Sequence, residues 1–151
     1  MNRRNFSKLA AISSLVGLTP SQIFSTVKSE KDLKISLAQW SLNKAIKAGE
    51  LSGLDFAKKS RSFGIDAIEY VSGLYTTHSN LLEKMSMKKL SKELVKRSND
   101  YGIDNVLIMI DGQGSLASSN NLERSEAIDN HKKWIDFASN LGCETLRLNL
   151  N

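Results

Sequence analysis

The chain has little of several residue types that mark specialised folds and sites. Its 151 residues include one proline and one cysteine, Cys143. A single cysteine excludes an intramolecular disulfide and a zinc site built from paired cysteines. The apolar neighbours of Cys143 indicate a small buried hydrophobic residue rather than a nucleophile. Ser-His-Asp and phosphate-loop patterns are also absent from the sequence.

Unopposed charge is scarce outside the N-terminus. The formal net charge is +5, but Arg3, Arg4, Lys8 and Lys28 lie in residues 1–28, which contain no acidic side chain. Basic and acidic side chains are nearly balanced in the rest of the chain. Since nucleic-acid binding requires clustered, unopposed Lys and Arg, we expect no nucleic-acid partner. With 40% hydrophobic and 25% charged residues, the composition is typical of a globular domain.

Residues 1–30 are predicted to be an export signal and linker. Asn2-Arg3-Arg4-Asn5-Phe6 precedes an apolar run over residues 9–18 and then Pro20, a pattern that resembles a twin-arginine signal. The resemblance implies export, to the periplasm. An apolar run of about ten residues is too short to cross a bilayer, so no stable membrane span is expected after signal removal. An amphipathic N-terminal helix is the alternative.

A helix-to-strand junction recurs three times in residues 31–151, at Gly64, Gly102 and Gly142. Each glycine follows a helix-like stretch and precedes an apolar residue, an acid and a run with strand character. Glycine suits such a helix end because it adopts the left-handed backbone conformation. The interval of about 40 residues fits one helix plus one strand with their loops. The repeat therefore predicts strands that alternate with helices.

The repeat predicts an α/β fold, specifically a partial (β/α)8 TIM barrel truncated after its fourth strand. We expect about four parallel strands, over residues 33–40, 66–71, 105–110 and 145–150, with three main helices. The first helix is expected to open at Asp55 and the second to be capped by Ser86. The apolar run of residues 106–110 predicts a strand buried on both faces. A small open doubly wound sheet is the alternative, although its full glycine fingerprint is missing.

Several segments resemble the sugar phosphate isomerase/epimerase family of xylose-isomerase-like TIM barrels. The likeness covers residues 33–151, and its strongest motif is the second-strand pattern Gly-apolar-Asp-x-apolar-Glu. The segments are Ile35-Ser36-Leu37-Ala38-Gln39-Trp40-Ser41, Phe63-Gly64-Ile65-Asp66-Ala67-Ile68-Glu69-Tyr70-Val71, Leu107-Ile108-Met109-Ile110-Asp111-Gly112, Asn130-His131-Lys132-Lys133-Trp134 and Leu141-Gly142-Cys143-Glu144-Thr145-Leu146-Arg147-Leu148-Asn149.

The resemblance implies a small carbohydrate substrate, bound at the carboxyl ends of the strands. It also implies a divalent metal (Mn, Mg or Zn) held by later strands, with no cofactor in this chain itself. This half is expected to orient sugar hydroxyls through a polar wall formed by Gln39, Trp40, Glu69, Asp111, Arg147 and Asn149. No catalytic residue is assigned.

Some candidate residues have a structural alternative. Glu69 and Arg147 hold equivalent places in the repeat, which predicts one layer and allows an ion pair between them. Trp40 could stack on a sugar or fill the barrel end. His131 is expected to be structural because it lies on a helix outside the barrel, whereas His78 lies in a loop that could reach a ligand.

The full-length protein is therefore expected to be a metal-assisted sugar isomerase or epimerase, and the chain alone to be inactive. Two alternatives remain open: a lyase or hydrolase of oxidised sugars on the same barrel, and a non-catalytic carbohydrate-binding protein. An endonuclease of the same fold is disfavoured because no histidine sits at a predicted strand end. The oligomeric state is left open.

Overall fold

The protein is an α/β fold around a four-stranded parallel sheet. A computed structural model describes residues 34–76 and 81–150, and all of these except Lys34 belong to a unit that spans Ile35–Asn151. The predicted export signal and His78 lie outside the described residues. The strands are β1 Leu37–Ala38, β2 Ala67–Val71, β3 Asp104–Ile110 and β4 Thr145–Leu148. They follow the order β1-β2-β3-β4 in the sheet, and every neighbouring pair is parallel.

Helices connect the strands. The α-helices are α1 Asn43–Lys47, α2 Phe56–Ser62, α3 Gly73–Thr76, α4 Leu81–Lys84, α5 Met87–Tyr101 and α6 Asn121–Leu141. The three predicted main helices correspond to α2, α5 and α6, while short 3-10 helices cover Gln39–Leu42 and Gly53–Asp55. The first strand is shorter than expected because the chain enters a 3-10 turn at Gln39.

The helix ends are as predicted at Ser86, Gly102 and Gly142, but Asp55 does not cap its helix. Ser86 accepts a hydrogen bond from the backbone N–H of Lys89, which confirms it as the cap of α5. Gly102 and Gly142 end α5 and α6 in the left-handed conformation, as predicted. Asp55, however, makes no capping hydrogen bond. Its carboxylate instead pairs with Arg97 of α5 at 2.6 Å.

One face of the sheet, here called the outer face, packs against the helices. Ile68, Tyr70, Ile108 and Ile110 of this face are completely or almost completely buried. They form one core with apolar side chains of α2, α5 and α6, among them Trp134. This burial removes a large apolar area from water and is the main source of stability.

A polar cluster joins the outer face to two helices. Tyr70 donates from its hydroxyl to Asn105 Oδ1 at 2.9 Å, and Ser98 of α5 donates to the same oxygen at 2.7 Å. The Asn105 side-chain N–H donates to the carbonyl of Leu141 at the end of α6. Because both ends of the amide are bonded, this polar group is stable beside the core.

The opposite face, here called the open face, carries Glu69, Leu107, Met109 and Arg147. Alternation along β3 leaves Leu107 and Met109 half-buried, while Ile108 and Ile110 are buried. The prediction that β3 is buried on both faces is therefore wrong. A small cluster of Ile46, Val71 and Leu74 contacts Met109 and covers only part of this face.

The register of the strands separates Glu69 from Arg147. Glu69 lies opposite Leu107, which lies opposite Thr145, whereas Arg147 lies opposite Met109. The offset arises between β3 and β4, because Leu107 pairs with Thr145 rather than with Arg147. Arg147 therefore lies two residues further along its strand than Thr145, the position level with Glu69 in the hydrogen-bond register.

Candidate functional site

A cavity of about 540 Å³ lies at the carboxyl ends of β3 and β4. It brings together four of the predicted site residues and leaves out Gln39 and Glu69. Its lining is Ala38, Trp40, Ser41, Met109, Asp111, Arg147 and Asn149. Strand ends of this kind are where parallel α/β proteins build their binding sites.

Asp111 is the centre of the polar side of the cavity. Asn149 donates from its side-chain nitrogen to Asp111 Oδ1 at 3.0 Å, and Arg147 Nη2 lies 3.4 Å from the same oxygen. All three side chains are partly exposed, so they keep capacity to bind a ligand. The arrangement offers one carboxylate that accepts hydrogen bonds and two groups that donate them.

Ser72 fixes the backbone of Asp111, a role that the sequence did not suggest. The buried Ser72 hydroxyl accepts from the Asp111 N–H at 2.9 Å and donates to the Asp111 carbonyl at 3.1 Å. The Ser72 N–H in turn donates to the Met109 carbonyl at 2.9 Å. These contacts continue the pairing of β2 and β3 beyond the strands and hold Asp111 at the cavity rim.

Trp40 forms the aromatic side of the cavity. Its side chain is large, and the residue is 49% exposed. Asn43 donates to the Trp40 carbonyl, and Lys47 Nζ of α1 lies 4.7 Å from the ring centre. The cation covers part of the ring, which restrains it without burying it. An exposed indole beside polar groups can stack on the C–H face of a sugar.

Gln39 does not line the cavity. It is fully buried, its side-chain N–H donates to the Tyr75 hydroxyl at 2.8 Å, and its oxygen accepts from the Val71 N–H at 3.0 Å. Burial raises the pKa of Tyr75 well above its usual range, so this hydroxyl stays protonated and donates to the Gly53 carbonyl. Gln39 ties β1 to β2 and α3 rather than facing a ligand.

Glu69 also lies apart from the cavity. Its carboxylate accepts a hydrogen bond from the Ser36 hydroxyl just before β1. Of the two alternatives for Glu69, the ion pair with Arg147 is not formed, since Arg147 pairs with Asp111 instead. The register of β4 places Arg147 opposite Met109, close to the carboxyl end of β3, which Asp111 follows.

The described residues do not fit a divalent metal. Within residues 34–76 and 81–150, no three His, Cys, Asp or Glu side chains come together as a metal site. His131 is buried on α6, with its Nδ1 2.7 Å from the Ala127 carbonyl. Burial raises the pKa of the Cys143 thiol to about 11, so the neutral thiol predominates at neutral pH. We therefore derive no step through a metal.

No protein-family model matches the chain, and no curated protein matches it significantly. No helix in the described part of the chain is long and apolar enough to cross a membrane.

Proposed function

We propose that this chain forms the substrate-orienting wall of a (β/α)8 barrel of the sugar isomerase/epimerase type, and that its cavity binds a small carbohydrate. The observation that carries the proposal is the joint placement of Asp111, Arg147 and Asn149 opposite Trp40 in one cavity. A carboxylate, a guanidinium, an amide and an aromatic ring together match the hydroxyls and C–H faces of a sugar.

The sheet supports the barrel part of the proposal. Its strands follow sequence order without a reversal, and the main helices contribute to the core on one face. A doubly wound sheet reverses its strand order at a switch point and carries helices on both faces. A (β/α)8 barrel has neither feature, and its long strand-to-helix loops gather at the rim that carries the site.

The described residues act by binding and orientation. Asp111 would accept hydrogen bonds from two sugar hydroxyls, while Arg147 and Asn149 would donate to sugar oxygens. Trp40 would stack on the apolar face of the ring. The proposal assigns none of these side chains a bond-making step, in keeping with the absence of a metal-binding group among the described residues.

A titration of the full 151-residue chain with D-xylose, D-glucose and xylitol tests the proposal. Two tryptophans serve as probes, because Trp40 lines the cavity and Trp134 is buried among the helices. Sugar-dependent fluorescence should disappear in Trp40→Phe and persist in Trp134→Phe. Asp111→Asn should weaken binding at least tenfold, since the amide replaces one acceptor oxygen by a donor.

Asp104→Asn is the matched control because Asp104 begins the same strand, β3, at its other end. We expect it to bind these sugars as the unmodified chain does. Equal affinity in the two Asn variants would refute the proposal, as would a chain that binds none of the three probes.

A further inference from the structure

A second groove lies on the helix side of the sheet and shares no residue with the candidate sugar cavity. It measures about 500 Å³ and is lined by one residue of the 3-10 turn before α2, one residue after α4 and four residues of α5. These residues, here called the basic groove, are Leu54, Met85, Lys89, Lys92, Glu93 and Lys96. The proposed sugar-binding function makes no use of this groove.

The base of the basic groove is apolar. Leu54 and Met85 are half-buried, and both pack against the core that the helices form on the outer face. Methionine adapts to differently shaped partners because its side chain is flexible and polarizable. The base therefore suits an apolar side chain of a partner, whose burial there would displace water from it.

Lysines border the groove along one side of α5. Lys89, Lys92 and Lys96 are exposed, and their spacing of three and then four residues places them in a row of about 10 Å along the helix. Lys96 pairs with Asp100. In the described part of the chain, Lys89 and Lys92 form no ion pair, and residues 84–92 contain four lysines and no acid.

The acid that lines the groove is already neutralised. Glu93 Oε1 accepts a hydrogen bond from Arg97 Nε at 2.7 Å, and Arg97 also pairs with Asp55 at 2.6 Å. The uncompensated charge of the groove is therefore positive and is carried by Lys89 and Lys92. A positive border around an apolar base is complementary to a partner that is both acidic and apolar.

We propose that the basic groove docks an acidic amphipathic helix of a partner protein. Carboxylates spaced three or four residues apart on that helix would pair with Lys89 and Lys92. An apolar side chain between them would rest on Leu54 and Met85, as in other complexes that seat a helix in a groove. The docked helix would lie along α5, because the lysines run in that direction.

Two other anionic partners match the groove less well. Binding to a bilayer surface requires apolar side chains that enter the lipid, whereas Leu54 and Met85 are half-buried at the base of a concave site. A nucleic-acid strand is bound through many phosphates, whereas Lys89 and Lys92 are the lining lysines that lack an ion pair. An acidic amphipathic helix supplies carboxylates and an apolar face together.

Fluorescence anisotropy of labelled peptides, titrated with the full 151-residue chain, tests the docking. Three helical peptides of about 15 residues serve as probes. One carries leucines on one face flanked by glutamates, one carries the same leucines flanked by lysines, and one keeps the glutamates but replaces the leucines by alanine. The first should bind about tenfold more tightly than either of the others, and sodium chloride should weaken its binding.

Charge reversal in the groove provides a test that detects unfolded variants. The double variant Lys89→Glu and Lys92→Glu should lose the glutamate peptide and gain the lysine peptide, and this gain requires an intact groove. The double variant Lys132→Glu and Lys133→Glu is the matched control, because it changes the charge equally at exposed residues of α6 outside the groove. We expect the control to bind the glutamate peptide as the unmodified chain does.

Several outcomes would overturn the proposal. Equal binding of the three peptides would do so, as would a control variant that loses as much affinity as the groove variant. Phosphatidylglycerol vesicles and an oligothymidylate strand complete the set of probes. If either bound more tightly than the glutamate peptide, the groove would instead serve a membrane or a nucleic acid.

Discussion

The outer and open faces of the same sheet differ in what covers them. On the outer face, Ile108 and Tyr70 are buried against helices, and the polar groups beside them are bonded. On the open face, Met109 is half-buried and Arg147 is exposed, although both lie only one residue from outer-face positions. Alternation along the strands thus assigns neighbouring residues to different physical roles.

This difference separates stability from recognition. Burial of apolar area makes the outer face the source of folding free energy. The open face keeps polar side chains accessible at the carboxyl edge, where a ligand can replace water. We therefore expect substitutions on the outer face to lower stability, and substitutions at the cavity to change binding with little loss of stability.

The sharpest test compares adjacent residues of β3. Ile108→Ala should lower the free energy of unfolding by about 2–5 kcal/mol, because it removes buried methyl groups and leaves a cavity. Met109→Ala on the open face should cost about 1 kcal/mol, since its side chain is only partly buried. Urea unfolding monitored by circular dichroism measures both. Equal losses would show that the two faces are packed alike.

The sequence predicted the outer face better than the open one, for a physical reason. Glycine-ended helices are local signals, and the left-handed conformations of Gly102 and Gly142 confirm the prediction made from them. The stagger between strands is a tertiary property, so the repeat did not reveal that Arg147 pairs in register with Met109 rather than with Leu107. The four-residue helices α3 and α4 were not predicted either, because they are too short to show helical periodicity.

The sequence predicted that the candidate site lies at the ends of the strands, but it did not predict the contacts between the side chains there. The predicted strand ends led to Asp111 and Asn149, and the side chains of these two residues are hydrogen-bonded to each other. Gln39 also sits just after a strand, yet it turns into the core, where Tyr75 and the Val71 N–H satisfy its amide. A strand end limits where a polar residue lies, whereas the direction of its side chain depends on partners distant in sequence.

A substitution in the polar cluster of the outer face should lower stability by an intermediate amount. Asn105→Ala should lower the free energy of unfolding by about 1–3 kcal/mol, because the Leu141 carbonyl and the Tyr70 hydroxyl each lose a partner. Thermal and urea unfolding measure the loss. Asn140→Ala is the control, since its side chain is exposed and bonds only to its own helix. If both variants were equally stable, the outer face would depend on apolar packing alone.

Arg147→Met should have the smallest effect on stability and a clear effect on binding. The Arg147–Asp111 pair is 3.4 Å long and solvent-exposed, so its loss should change the free energy of unfolding by about 0–1 kcal/mol. D-xylose binding should still weaken, because the cavity loses a donor. Urea unfolding and sugar titration on one preparation measure the two effects together. A large loss of stability with unchanged sugar binding would contradict this prediction, because it would mean that Arg147 on the open face stabilises the fold instead of binding a ligand.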